Sequence, residues 1–384
     1  EGFGELIGFC SAWGYWLCAV IANVSYLVIV FSALSFFTDT PELRLFGDGN
    51  TWQSIVGASA LLWIVHFLIL RGVQTAASIN LVATLAKLLP LGLFVVLAMM
   101  MFKLDTFKLD FTGLALGVPV WEQVKNTMLI TLWVFIGVEG AVVVSARARN
   151  KRDVGKATLL AVLSALGVYL LVTLLSLGVV ARPELAEIRN PSMAGLMVEM
   201  MGPWGEIIIA AGLIVSVCGA YLSWTIMAAE VPFLAATHKA FPRIFARQNA
   251  QAAPSASLWL TNICVQICLV LIWLTGSDYN TLLTIASEMI LVPYFLVGAF
   301  LLKIATRPLH KAVGVGACIY GLWLLYASGP MHLLLSVVLY APGLLVFLYA
   351  RKTHTHDNVL NRQEMVLIGM LLIASVPATW MLVG

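Results

Sequence analysis

Charge is scarce in this chain. Only 11% of its 384 residues are Asp, Glu, Lys or Arg, against about 25% in a soluble domain. A hydrated globular surface is therefore excluded for most of the sequence. Aspartate is missing from every long apolar run, which rules out a pair of catalytic aspartates at membrane depth. Histidine is rare as well. His238, His310, His332, His354 and His356 fall in loops or at helix ends, and His66 stands alone within a run. With no His-Glu-x-x-His motif and no Ser–His dyad, an intramembrane enzyme lacks its working groups. The six cysteines (10, 18, 218, 264, 268 and 318) lie inside apolar runs. Cys264 and Cys268 are one helical turn apart, which fits neither a metal knuckle nor a secreted disulfide framework. They read as packing residues, and His354 with His356 as a solvated loop. No metal and no cofactor is expected. The chain opens at Glu1 without Met, basic leader or signal peptide, and a further N-terminal piece is expected ahead of it.

What the chain has in abundance is apolar sequence. Hydrophobic residues make up 61% and the mean hydropathy is +0.96. Stretches near the length that spans a bilayer occupy residues 9–36, 54–70, 79–102, 124–146, 157–180, 206–229, 258–274, 279–302, 312–328, 332–350 and 364–383. Nothing separates them that reads as a soluble linker. The expectation is one all-α polytopic membrane domain over residues 1–384, with eleven spans in contact with the lipid bilayer.

Loop charges set the orientation. If the first span runs from inside to outside, the inner segments hold 15 of the 22 Lys and Arg residues and the outer segments 6, with Lys87 inside a span. This is the asymmetry of the positive-inside rule. The net charge of +3 thus reports topology, and no nucleic-acid partner is expected.

The most informative run holds Ile136-Gly137-Val138-Glu139-Gly140. Glycine costs roughly 1 kcal/mol inside a helix, and an ionisable group near the bilayer centre at least about 2.5 kcal/mol. Both make sense if the helix breaks there and offers free backbone groups and one carboxylate to a polar ligand. Lys87 lies about 12 Å deep at 1.5 Å per residue, too deep for easy snorkelling. Glu288 lies about two turns into its span, five residues before Pro293. It is a candidate second carboxylate for a doubly cationic ligand, or equally the partner of Lys87 or of a buried polar group. Tyr26, Trp133, Trp224 and Tyr294 sit mid-span, away from the interfacial belt, where aromatic faces attract a desolvated cation by roughly 2 kcal/mol. Asn23 and Ser223-Trp224-Thr225 add hydrogen-bonding groups.

These residues carry a resemblance. Trp133-Val134-Phe135-Ile136-Gly137-Val138-Glu139-Gly140 with the basic loop after it resembles a transmembrane helix and loop of the basic amino acid/polyamine antiporters, in the amino acid–polyamine–organocation superfamily. The likeness continues through Tyr15-Trp16, Asn23, Leu222-Ser223-Trp224-Thr225, Phe241 to Arg247 and Leu291-Val292-Pro293-Tyr294. It implies a five-plus-five inverted-repeat, LeuT-like transporter fold, with this chain starting at the family's third helix and lacking the first two. It also implies exchange of cationic amino acids, arginine for ornithine, across a bacterial inner membrane by alternating access. It implies substrate binding by Trp133, Ile136, Gly137, Glu139, Trp224 and Asn23; Tyr26 and Glu288 depart from the family's pattern, join them as candidates on their own chemistry, and leave the exact substrate open. Tyr15, Glu139 and Tyr294 are the implied gate, and Lys87 the ion- or proton-coupling residue. A proton-coupled carrier of cationic amino acids, polyamines or drugs on the same fold stays open, as does a homodimer.

Overall fold

The computed structural model describes residues 2–140, 151–354 and 360–383. Ten long helices run through them: α1 (Glu5–Thr38), α2 (Trp52–Leu70), α3 (Val73–Met101), α4 (Val120–Trp133), α5 (Lys151–Val179), α6 (Pro203–Thr237), α7 (Ser255–Thr275), α8 (Tyr279–Ile304), α9 (Pro308–His354) and α10 (Arg362–Val383). Three short helices, Leu104–Lys108, Arg182–Glu187 and Ser192–Met201, lie in the connections. Seven of the described helices are long and apolar enough to cross a membrane.

The architecture is all-helical, and α1 is its axis. A helix that is apolar on all sides must be covered on all sides. In α1 the run from Cys18 to Ser25 is buried without interruption, packed chiefly against α6 and α8. Close approach needs small residues at the crossings. A Cβ added at Gly14 would lie 2.7 Å from the Met289 carbonyl oxygen of α8, and one at Gly343 of α9 would lie 2.7 Å from the Trp13 ring. Tyr340 Oη donates to that same Met289 carbonyl at 3.4 Å, so α1, α8 and α9 meet at one point.

Two expected spans, 312–328 and 332–350, are the arms of α9, which bends at Gly329 (φ 81°, ψ 165°) ahead of Pro330. Polar caps end the helices where the chain leaves the apolar layer. Thr51 accepts from the Ser54 N–H to start α2, and Asp278 accepts from the Thr281 N–H at 3.0 Å to start α8. After α1, Asp39 gathers the loop by accepting from the N–H groups of Phe46 (3.0 Å) and Gly47 (2.8 Å). Its slight burial would raise the carboxyl, but those donors hold it below the ordinary aspartate value.

The run 124–146 departs from a continuous rod. Helix α4 stops at Trp133, and residues 134–139 form turns.

Candidate functional site

The break in α4 is built from short-range bonds. Val134 and Ile136 close the last turn through their N–H groups, to the carbonyls of Ile130 and Trp133. Gly137 then takes φ +104°, a conformation open to glycine and costly for a residue with a Cβ. Its N–H turns back to Glu139 Oε2 at 3.0 Å. A Cβ there would also lie 3.0 Å from Cζ2 of Trp224. One glycine thus serves both the reversal of the chain and the approach of α6.

Glu139 is held at the break by two helices distant in sequence. Tyr15 Oη of α1 donates to Oε1 at 3.0 Å, and Tyr294 Oη of α8 donates to Oε2 at 3.0 Å. With the Gly137 N–H, three donors face an acceptor-only group. Hydrogen bonds to a charged group are worth roughly 1.5–3 kcal/mol each. Three of them offset an insertion cost of at least about 2.5 kcal/mol, so a carboxylate is tolerated here.

Beside this clamp lies a cavity of about 220 Å³ lined by Tyr26, Trp133, Val134, Ile136, Tyr169 and Trp224. The Tyr26 ring stands 6.3 Å from that of Trp133 and 6.4 Å from that of Trp224, tilted by 46° and 54°. Small residues make the room: Ala19 and Ala22 of α1 and Ala228 of α6 pack around Trp224, which is 7% exposed. The break leaves carbonyls to satisfy. Val134 accepts from Tyr169 Oη at 2.8 Å, whereas the Ile136 carbonyl has no donor among the described residues. Aromatic faces around a carbonyl that no described residue bonds, next to a carboxylate, form a setting for a cation with hydrogen-bond donors.

The structure therefore brings Tyr26, Trp133, Ile136 and Trp224 to one cavity, and Tyr15, Glu139 and Tyr294 to one hydrogen-bonded cluster beside it, with Gly137 between the Glu139 carboxylate and the Trp224 ring. Asn23, one turn before Tyr26, is fully buried, and neither of its amide atoms has a hydrogen-bond partner among the described residues. Glu288 does not line the cavity. It lies against His332 Nδ1 of the second arm of α9. Lys87 is exposed on α3. Ser223 and Thr225 bond back to their own helix, at Gly219 and Tyr221.

Sequence reasoning missed Tyr169. A tyrosine inside an apolar run was its only signal, and its partner lies 35 residues away on a broken helix. It also missed the partner of His66, whose Nδ1 lies 2.9 Å from Asn262 Nδ2, 196 residues along the chain. His354 bonds the Phe241 carbonyl at 2.9 Å, while His356 falls outside the described residues. No group of three or more metal-ligating side chains occurs among the described residues.

The amino acid permease family model matches residues 1–372. The chain belongs to the amino acid permease family. Curated relatives of this permease include the arginine/ornithine antiporter of Pseudomonas aeruginosa, 45% identical over 370 residues, which span 91% of this chain and 76% of that protein. The arginine/agmatine antiporter of Chlamydia pneumoniae is 39% identical over 398 residues, 98% of this chain and 81% of its own length. A putative amino-acid transporter of Clostridium perfringens is 39% identical over 393 residues, again with 81% of its length covered. Family and helices together bear out the expected all-α, multi-pass membrane permease.

Proposed function

We propose that this permease is an antiporter of cationic amino acids, exchanging arginine for ornithine across the bacterial inner membrane by alternating access. The observation that carries the reading is the interrupted α4, whose turn at 134–139 sets Glu139 between two tyrosine hydroxyls beside an indole-lined cavity. Relatives named as arginine antiporters support the choice of substrate.

In this mechanism the cationic side chain of the substrate lies between Trp133 and Trp224, where desolvated indole faces attract it. The Ile136 carbonyl, at the break, accepts from the α-ammonium group. Tyr169 binds the Val134 carbonyl and so keeps the turn from re-forming helix. Asn23, one turn of α1 before Tyr26, supplies amide atoms that have no partner among the described residues. Tyr15, Glu139 and Tyr294 form the gate: their bonds join α1 and α8 to the break, and opening the site to either side requires at least one of them to part. Arginine and ornithine each carry one net positive charge near neutral pH, so one-for-one exchange moves no net charge.

The test is counterflow with the full-length protein in liposomes. Labelled arginine enters only when the lumen holds ornithine or arginine, and Trp224→Leu reduces that entry at least tenfold. Entry into empty liposomes at the same rate would make the protein a uniporter or proton-coupled importer. Parental exchange by the variant would remove Trp224 from the site.

A further inference from the structure

Glu288 is the most deeply buried described carboxylate, and nothing in the exchange mechanism uses it. Its residue exposure is 1%, and its side chain has none. Among the described residues its ion-pair partner is His332 Nδ1, placed against Oε1, and neither carboxyl oxygen has any further hydrogen-bond partner. The imidazole, by contrast, is 42% exposed. One end of the pair is dry and the other reaches the surface.

Among the described residues, the other charged groups of the helices packed on α8 are paired with one another or stand at helix ends, as His310, Lys311 and Lys352 do on α9 and Lys303 does on α8. On α4, Lys125 pairs with Glu122 at 2.9 Å. On α1 and α9, Arg351 lies 3.5 Å from Glu5 and 2.8 Å from Glu364 of α10. Of the nearby phenols, Tyr15 and Tyr294 serve Glu139, and Tyr340 donates to the Met289 carbonyl. On α9, Tyr326 lies under Lys125, and Tyr320 is exposed. The two α1 thiols, Cys10 and Cys18, and Cys318 of α9 are free cysteines. Proton occupancy at Glu288 is therefore a matter for Glu288 and His332 together.

With one proton between them the pair is neutral, written either as carboxyl and imidazole or as carboxylate and imidazolium. Removing that proton leaves a bare carboxylate in an apolar interior, which is expensive. A second proton makes the pair a net cation, with the charge on the ring that reaches the surface. We propose that Glu288 and His332 form a proton-binding site, separate from the exchange cavity, that fastens α8 to the bent α9. The placement supports a mechanical effect. His332 opens the second arm just after Gly329, Tyr340 of the same arm holds the residue next to Glu288, and Tyr294 of the gate lies six residues farther along α8. Losing the shared proton loosens one of the two ties between that arm and the gate helix. Loop charges put Gly329 on the outer side, so the outer solution sets occupancy.

The proton site can be read without transport. In the full-length protein, pH-difference infrared spectra should show a protonated-carboxyl band that disappears in Glu288→Gln, with its midpoint moved by about one pH unit, tenfold in proton affinity, in His332→Gln. Spectra of Glu288→Gln that superpose on the parent, or a midpoint indifferent to His332→Gln, overturn the site. The His332 variant carries the test if Glu288→Gln does not fold. The mechanical effect is read in liposomes with the lumenal pH fixed. Exchange should fall as the outer solution is made alkaline, and Glu288→Gln should remove that step. A step that persists in the variant, or follows lumenal pH instead, overturns it. Absence of exchange in the parent would defeat the antiport reading and leave the infrared result standing.

Discussion

At Gly137 the backbone conformation and the Trp224 ring make the same demand. The left-handed φ costs a residue with a side chain about 1–2 kcal/mol, and the Cβ would press on the indole at 3.0 Å. Gly137→Ala should therefore reduce arginine binding more than it lowers the melting temperature, which isothermal titration and a thermal melt on one sample distinguish. Tyr169→Phe removes a donor from the Val134 carbonyl while keeping the ring that lines the cavity. An unmade bond at a partly buried carbonyl costs about 1–3 kcal/mol, so exchange should weaken by roughly tenfold or more, with the fold retained. An unchanged KM and turnover would show that water replaces the hydroxyl without loss. Glu139 was legible in the sequence because a carboxylate between glycines has no structural economy inside lipid. Tyr169, the Asn262 contact of His66 and the His332 contact of Glu288 were not, since each joins residues on helices whose adjacency no single run reveals.

Among the helices, the breaks and bends do more to shape the site than the regular turns. The interruption at 134–139 was expected from Gly137, Glu139 and Gly140, because three residues unsuited to a lipid-embedded helix interior coincide there. Its start at Val134 was not, since Val134 and Phe135 are ordinary apolar residues that a pattern extends as helix. The bend at Gly329 likewise merges two expected spans into one element. Helix α8 carries both Tyr294 and Glu288, so its anchoring affects both. Asp278 caps it and also accepts from Thr281 Oγ1 at 2.6 Å, which lowers its carboxyl below the ordinary aspartate value. A lowered value in the folded state stabilises the protein above the unfolded aspartate pKa of about 3.9 and loses that effect as pH falls through the folded value. Asp278→Ala should lower stability by about 0.5–1 kcal/mol at neutral pH, and the difference should vanish in strongly acidic buffer. A melt at the two pH values checks the sign.

On the scale of the whole molecule, all-α character and multiple spans followed from composition alone, because 61% apolar content leaves few alternatives to stacked helices in lipid. Which helix sits at the axis did not follow, since α1 and its neighbours have similar hydropathy and differ in where small residues permit close approach. If arginine and ornithine cross one for one, an imposed potential of either sign should leave the exchange rate unchanged. A rate that follows the potential would instead indicate net charge movement, as a proton-coupled cycle gives. The contact between Gly137 and Trp224 also bears on evolvability. A methyl on that side would already stand 3.0 Å from the indole, so a mutation that narrows the ligand chamber there must also move the ring or rebuild the turn of backbone beneath it. Tyr26 faces both indoles across the gap on a helical turn with no left-handed backbone demand, so new preferences in cargo size should arise by exchanging that one phenol.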